Sequence, residues 1–208
     1  MKQEWRKQEK AIYLPKNKPE RVQIPAFNFY VIDGAGNPNS EAFAEVVGQL
    51  YALSYAIRMS PKKNRAPQGY QDYTVYPLEG IWDLNEKGRA NHDGSFDKDD
   101  LVYRLMIRQP DFVTKDYALE VIEWLKKEKP NPLLEQVKFE SIEDGDCIQM
   151  LHLGPYDDEP ASFEQMEAFA EGQGLKRASK IHREIYLSDA RKVEPAKLKT
   201  VLRFWLEA

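Results

Sequence analysis

The chain has 208 residues, of which 42% are hydrophobic and 12% aromatic. A chain of this length buries roughly 70% of its unfolded surface, so it has room for a hydrophobic core and does not belong to the disordered class. Its 30 basic and 34 acidic residues give a net charge of -4, which provides no overall attraction to nucleic acid or anionic lipid. No apolar run approaches the length of a transmembrane helix.

The cysteine content and the first residues indicate the compartment. The single cysteine, Cys147, rules out an internal disulfide. Residues 1–10 are polar and lack the apolar stretch of a secretory signal. We therefore expect a cytoplasmic protein.

The first half of the chain predicts one β-α-β-β unit after an irregular arm. Residues 1–25 mix charges with prolines and show no sustained period, so we interpret them as the arm. A strand is predicted from Ala26 until Asp33-Gly34 stops it, and Asn39 or Ser40 then caps a long helix. Strands are predicted next at Tyr73–Trp82 and Leu101–Arg108, with a polar loop at 83–100.

The second half repeats this order after a connecting helix. Thr114 is the predicted N-cap of that helix. A strand follows at Cys147–Leu153, and the next helix is predicted to begin at a capping box of Ser162 and Gln165. Gly172 and Gly174 are its predicted left-handed stop residues. The closing strands are predicted at Ile181–Ser188 and Thr200–Leu206.

The shared order of elements favours an internal duplication. We predict an α+β fold made of two pseudo-symmetric β-α-β-β units, at 26–110 and 136–208, that form a single domain over 1–208. A connector helix at 111–135 joins them, and the arm at 1–25 precedes them. Because one helix covers only one face of each small sheet, the uncovered faces are predicted to line a central ligand cleft.

The strongest local signal for chemistry lies in the strand near residue 184. Alternation places His182, Glu184 and Tyr186 on one face, and Ile185 and Leu187 on the other. A carboxylate beside a phenol becomes reactive if its face is desolvated. The pattern leaves a wet, solvent-facing strand as an equal alternative, because antiparallel sheets commonly have one such face.

The corresponding strand of the first half also carries a carboxylate among aromatic residues. Glu79 lies between Tyr76 and Trp82, and with Glu184 it would give two carboxylates flanking one cleft. Such a pair suits recognition of a cationic or electron-poor ring, and also acid and base roles. Pro77 indicates an edge strand or bulge here, and for Glu79 alone a structural role is favoured.

Metal and cofactor chemistry is not expected. Residues 93–100 resemble a calcium loop, but placing Gly94 at its sixth position puts Arg89 at the first ligand position. The three histidines lie far apart in sequence and lack the spacing of a zinc site. Cys147 sits in an apolar strand pattern, which favours a buried structural thiol. We predict no metal and no cofactor.

Short motifs in both halves of the chain occur in an order that resembles one known family. These motifs are Tyr13–Pro15, Ile32–Pro38, Leu50–Tyr55, Pro77–Trp82, Leu151–Tyr156 and Glu184–Ser188. Together they cover nearly the whole chain and resemble the GyrI-like small-molecule-binding domain, including its stand-alone bacterial members.

The resemblance implies the same two-unit architecture around a cleft, with Glu184 in an aromatic pocket that meets cationic, planar and hydrophobic compounds. Regulators that carry this domain also have a helix-turn-helix domain. Residues 1–26 are too short and proline-rich for one, so direct transcriptional control is not expected. The candidate ligand-binding residues are Trp82, Tyr76, Glu79, His152, Tyr156 and Trp124.

The stand-alone members that the chain resembles imply an enzyme that opens the cyclopropane ring of DNA-alkylating natural products by adding water. Glu184 is the candidate to position or deprotonate the water, and Tyr186 or Tyr103 the candidate to hydrogen-bond the conjugated carbonyl. A non-catalytic protein that sequesters small molecules, and a partner that restrains DNA gyrase, are the alternatives. We expect a monomer whose partner is a small xenobiotic molecule, without direct binding to nucleic acid or membranes.

Overall fold

The computed structural model describes residues 2–90 and 97–207. These residues form a mixed α+β fold with six α-helices and eight β-strands. The helices are α1 (Trp5–Gln8), α2 (Lys10–Tyr13), α3 (Glu41–Arg58), α4 (Glu86–Ala90), α5 (Lys115–Glu128) and α6 (Glu159–Glu171). The strands are β1 (Glu20–Ile24), β2 (Phe27–Ala35), β3 (Leu78–Leu84), β4 (Leu101–Arg108), β5 (Lys138–Ile142), β6 (Gly145–Leu153), β7 (His182–Tyr186) and β8 (Lys199–Trp205).

Part of the predicted polar loop falls outside this description. His92 and residues 93–96 of the calcium-like loop lie outside the described residues. Over the described ranges, the structure contains no helix with the length and apolar character needed to cross a membrane.

The chain divides into two compact units. The first comprises Met1–Gln3, Phe27–Leu78 and Trp82–Ile142, and the second comprises Glu4–Ala26, Glu79–Ile81 and Glu143–Ala208. Along the chain, the order β2-α3-β3-β4 recurs as β6-α6-β7-β8. That this recurrence reflects a duplication stays a prediction.

In the first unit the strand order is β3-β4-β2-β5, and β2 pairs antiparallel with both of its neighbours. Helix α3 packs on β2 and β4 and against α5. The sequence-predicted caps are confirmed, because the side chain of Ser40 accepts a hydrogen bond from the backbone N–H of Phe43, and that of Thr114 from Tyr117. The buried face of α3 consists of Val46, Leu50, Leu53, Ser54 and Ile57.

In the second unit the strand order is β1-β6-β8-β7-β3, where only Glu79–Ile81 of β3 belong to this unit. Strand β8 pairs antiparallel with both β6 and β7. Helix α6 packs against β6, and apolar side chains from α6, from β6 and from β8 with the residue after it form one core. This core consists of Ile148, Met150, Met166, Ala170, Leu202, Phe204 and Leu206.

The prediction of an irregular arm was wrong, because residues 1–25 contain the short helices α1 and α2 and the strand β1. Residues Glu20–Ile24 form β1, which pairs antiparallel with β6, and β5 is a second strand that the sequence pattern did not indicate. Each lies at the edge of its unit's strand order. An edge strand is held by backbone hydrogen bonds on one side, and its charged, partly exposed side chains obscure the alternation of apolar residues.

The predicted bounds of two strands need correction. Strand β2 does not stop at Asp33-Gly34, because Gly34 pairs with Tyr103 of β4 and the ladder continues to Ala35. Strand β3 begins at Leu78 and not at Tyr73, since Pro77 has no N–H to donate to a ladder.

The predicted capping box of α6 was also wrong. The helix begins at Glu159 with Pro160 in its first turn, one turn before Ser162. The Ser162 hydroxyl instead contacts the ring of His152. Of the two predicted stop residues, Gly174 is left-handed with φ of 70°, whereas Gly172 is right-handed.

The pairing of Gly34 with Tyr103 leaves no room for a side chain at residue 34. A Cβ atom there would lie 2.4 Å from the Tyr103 ring. We expect Gly34→Ala to lower the free energy of unfolding by about 1–3 kcal/mol, because the displaced ring must leave its packed position. Urea denaturation monitored by circular dichroism measures this change.

Gly48 on α3 is the matched control. It is exposed, and a Cβ atom there would meet nothing within 4 Å. Gly48→Ala should stabilise the protein by up to about 1 kcal/mol through helix propensity. Equal unfolding midpoints for the two variants would contradict the close approach at Gly34.

Candidate functional site

A hydrogen-bonded row of three side chains lies along one face of β7. The Nε2 atom of His182 lies 3.0 Å from Oε1 of Glu184, and the hydroxyl of Tyr186 donates to Oε2 at 2.7 Å. The three residues therefore share a face, as the alternation predicts. Glu184 is only 8% exposed, so this is not a solvent-facing strand.

A second carboxyl group meets Glu184 from α6. Glu159, the first residue of that helix, is 6% exposed, and the nearby charge of Glu184 raises the pKa of its carboxyl group. Its Oε1 atom is buried and has no hydrogen-bond partner among the described residues. We call Glu159 and Glu184 the carboxyl pair.

Burial dominates the electrostatics of this site. Burial raises the pKa of Glu159 well above its ordinary value, and the negative charges of Glu184 and Asp157 raise it further. Burial likewise raises the pKa of Tyr156 to about 12, with Glu184, Glu159 and Asp189 adding to the effect. Burial therefore favours the protonated form of the Glu159 carboxyl group and the neutral form of the Tyr156 phenol.

Aromatic rings pack beside the row of side chains on β7. The rings of Tyr156 and Tyr186 meet edge to face at 6.0 Å, and those of Phe163 and His182 do so at 4.7 Å. Tyr156 is 38% exposed, so the site adjoins the surface. Apolar walls with a few polar groups are typical of small-molecule sites.

His152 supports the turn that leads into α6. Its Nε2 atom lies 3.1 Å from the carbonyl oxygen of Pro155, which requires a proton on Nε2. Its Nδ1 atom lies 2.9 Å from the Ser162 hydroxyl, with which it hydrogen-bonds. His152 thus ties the segment before Tyr156 to the first turns of α6, and a direct role in ligand binding stays a prediction.

The opposite face of β7 carries a buried ion network. Arg183 donates at 2.7 Å to Glu79 and at 2.7 Å to Asp144. Arg203 of β8 donates to the other oxygen of Asp144 at 2.9 Å. All four side chains are nearly inaccessible, and their two positive charges balance two negative ones.

The network also holds the N-terminal segment of this unit. Arg203 donates to the backbone carbonyl of Ile12, and the Tyr13 hydroxyl donates to Glu79 at 3.4 Å. The charge of Glu79 is therefore neutralised inside the unit by Arg183. The second carboxyl group beside Glu184 is Glu159, and ligand contact by Glu79 stays a prediction.

The first unit contains the other predicted site residues. Trp82, Tyr103 and Phe43 form one aromatic cluster, with ring centroids 5.1–5.9 Å apart. Tyr76 lies elsewhere in this unit, where its hydroxyl accepts a hydrogen bond from Gln3. Trp124 of α5 packs edge-on against Tyr117, with the guanidinium of Arg65 4.8 Å from its ring.

Glu159 is the site residue that sequence analysis missed. The signal that could have found it is Pro160, because proline favours the first turn of a helix and would have placed Glu159 at the start of α6. The spacing of Ser162 and Gln165 matched a capping box and moved the predicted start one turn too far.

Metal-binding and thiol chemistry gain no support from the described residues. Within residues 2–90 and 97–207, no three His, Cys, Asp or Glu side chains are grouped so that they could hold a metal ion. Cys147 is buried, and burial raises the pKa of its thiol to about 12. The predicted buried location of this cysteine is confirmed.

The fold and the aromatic, carboxyl-lined site define a class of small-molecule-binding proteins, and comparison with known proteins agrees. Residues 17–205 match the model of the GyrI-like small molecule binding domain. The chain belongs to this family. No curated protein gives a significant match.

Solved structures extend the comparison. A hydrolase from Listeria innocua is 38% identical, with 100% of both chains covered and a TM-score of 0.90. Another structure of a Listeria innocua hydrolase is 37% identical, covers 99% of this chain and 100% of its own, and has a TM-score of 0.88. The EcmrR C-terminal domain is 13% identical over 91% of this chain and 97% of its own, with a TM-score of 0.53, and shares the fold.

The raised pKa of Glu159 makes stability depend on pH. The folded protein binds this proton more tightly than the unfolded chain, so the contribution is fully present below the ordinary value of 4.5 and is lost as pH rises through the folded pKa. We expect the urea midpoint of the wild type to fall, relative to that of Glu159→Gln, as the pH rises above about 4.5. Parallel pH profiles for the two proteins would contradict the protonated state.

Asp144 and Asp146 provide a matched test of the ion network. Asp144→Asn removes the negative charge that pairs with the buried guanidinium groups of Arg183 and Arg203. This change should lower the free energy of unfolding by about 3–5 kcal/mol. Asp146 pairs with Arg21 at a partly exposed position, so Asp146→Asn should cost at most about 1 kcal/mol. Urea titrations of both variants measure the difference, and equal losses would count against the network.

Proposed function

We propose that the protein binds hydrophobic, planar or cationic xenobiotic compounds at the carboxyl pair, and that it detoxifies cyclopropanoid DNA-alkylating compounds by hydrolysis. The observation that carries this proposal is the buried carboxylate of Glu184, oriented by His182 and Tyr186 beside the neutral phenol of Tyr156. The family is one of small-molecule-binding domains, and its Listeria innocua relatives carry the name hydrolase.

The reaction adds one water molecule to a cyclopropane that is conjugated to a carbonyl group. Glu184 orients the water and accepts its proton as the water oxygen bonds to a ring carbon. One ring C–C bond breaks, and its electron pair moves to the conjugated carbonyl oxygen. That oxygen takes up a proton, so the product is the substrate plus one water.

A hydrogen-bond donor near the carbonyl oxygen stabilises the negative charge that develops there. Tyr156 is the candidate in the second unit, because burial keeps its phenol neutral and able to donate, whereas Tyr186 donates its hydroxyl proton to Glu184. Tyr103 of the first unit is the further candidate from the sequence. The strain of the three-membered ring supplies part of the driving force, so orientation and proton transfer are the main tasks of the protein.

Turnover of a spirocyclopropane-fused cyclohexadienone tests the proposal. Mass spectrometry should detect many equivalents of a product heavier by one water. Glu184→Gln should lower kcat by about 100-fold or more, because glutamine cannot accept the proton. Glu164→Gln, an exposed change on α6, is the control and should keep the wild-type rate.

The same measurement separates catalysis from sequestration. A compound that co-elutes with the protein but stays chemically unchanged after long incubation would reject hydrolysis and leave a sequestering protein. Product formation at equal rates by the wild type and Glu184→Gln would remove Glu184 from the chemistry.

A further inference from the structure

The ring of His182 faces a hydrogen-bond acceptor at each of its two nitrogen atoms. Its Nδ1 atom lies 3.2 Å from the carbonyl oxygen of Lys180, and its Nε2 atom lies 3.0 Å from Oε1 of Glu184. A carbonyl oxygen only accepts, so the contact with Lys180 requires a proton on Nδ1. An ionised carboxylate also only accepts, so the contact with Glu184 requires a further proton between Nε2 and Oε1. The geometry therefore gives His182 and Glu184 one proton to share.

This shared proton allows two arrangements of charge. In one, His182 is an imidazolium and Glu184 is a carboxylate, and in the other both groups are neutral. Tyr186 favours the charged arrangement, because its hydroxyl donates to Oε2 of Glu184 at 2.7 Å and such a hydrogen bond stabilises a carboxylate. The charged arrangement is also the one in which Glu184 can accept a proton from water.

Arg177 fixes the carbonyl group that accepts the Nδ1 proton. Its Nη2 atom donates to the carbonyl oxygen of Lys180 at 2.8 Å, and its Nε atom donates to that of Ser179 at 2.6 Å. Its Nη1 atom donates to Glu167 of α6 at 2.7 Å. A planar guanidinium that makes three directed hydrogen bonds ties this backbone to α6 in one position. The acceptor that faces His182 is therefore held in place.

Two phenylalanine rings complete the support of this region. The guanidinium of Arg177 lies 4.8 Å from the ring centroids of both Phe163 and Phe204. Phe163 also packs edge to face on the ring of His182, with the ring centroids 4.7 Å apart. The ion pair of Arg177 with Glu167 offsets the charge of the guanidinium, so a second positive charge on the histidine is tolerated.

Among the described residues, the other titratable groups near the shared proton are neutral, paired or exposed. Burial raises the pKa of Glu159 well above its ordinary value and that of Tyr156 to about 12, which favours their neutral forms. Asp189, in the loop after β7, pairs with Arg191, and Asp157, in the turn before α6, is exposed. The histidine is thus the group placed to balance the charge of the carboxylate two residues after it.

We propose that His182 is a positioning residue of the hydrolysis, and that as an imidazolium fixed by the Lys180 carbonyl it keeps Glu184 ionised and oriented as the base. The inference rests on the proposed function, because it takes Glu184 as the base of that reaction. The active state holds one proton for the two residues. A second proton neutralises Glu184, whereas loss of the shared proton leaves two acceptors, Nε2 and Oε1, facing each other. Either change lowers the activity.

The test is the pH dependence of kcat/KM for the spirocyclopropane-fused cyclohexadienone. The wild type should give a bell-shaped profile, whose acid limb reports protonation of Glu184 and whose alkaline limb reports loss of the shared proton. His182→Gln keeps an N–H donor beside Glu184 but carries no charge and does not titrate. Its profile should lack the alkaline limb, and its acid limb should move to higher pH by about one pH unit or more.

A change elsewhere in the second unit provides the control for this experiment. Glu164→Gln, at an exposed position of α6, should retain both limbs of the wild-type profile. Turnover with identical profiles for the wild type and His182→Gln would reject the role of His182 alone and leave the proposed function intact. Absence of turnover by the wild type would reject the proposed function together with that role.

A spectrum without ligand tests the shared proton directly. Nitrogen NMR of the wild type, with the His182 ring assigned by through-bond correlation, does not depend on the folding of any variant. Near neutral pH both ring nitrogens of His182 should carry a proton. One bare ring nitrogen would place the shared proton on Glu184 and overturn the inference.

Discussion

The buried charge balance around Arg183 is the constraint on which the second unit depends. Arg183 and Arg203 are completely enclosed, and Asp144 bridges them through its two oxygens while Glu79 completes the network. Buried guanidinium groups are tolerated only when each is paired with good geometry, so this network allows one register of β7. A slip by one residue would send Arg183 to the wrong face and remove Glu184 from the carboxyl pair.

The two faces of β7 differ in how their buried charged groups are paired. On the face of Arg183, opposite charges are paired within the protein and nothing further is needed. On the face of Glu184, the two acids Glu159 and Glu184 lie near one histidine, His182, and burial raises the pKa of Glu159. On the face of Arg183, the protein itself supplies a partner for each buried charge. The proposed ligand site lies on the face of Glu184.

The comparison with relatives separates the scaffold from its use. The Listeria innocua hydrolases share the fold at 37–38% identity, and the EcmrR C-terminal domain shares it at 13%. Chains whose sequences differ this much can share a fold, so the fold alone does not determine the activity. The activity depends on particular side chains. In this chain the side chains proposed for ligand binding lie on β7 and at the start of α6, which carry Glu184 and Glu159.

Local chemistry determined much of this structure from sequence alone. The caps at Ser40 and Thr114 fix the starts of two helices, and alternation along β7 fixes which side chains share a face with Glu184, because these features depend on near neighbours in the chain. Tertiary structure decided the rest. The edge strands β1 and β5 carry charged residues that hide their period, and the partner of Glu79 is Arg183, 104 residues away. Glu159 at a helix terminus likewise lies near Glu184 on a strand that is distant in sequence. The spacing of apolar residues along the chain cannot predict such a long-range approach.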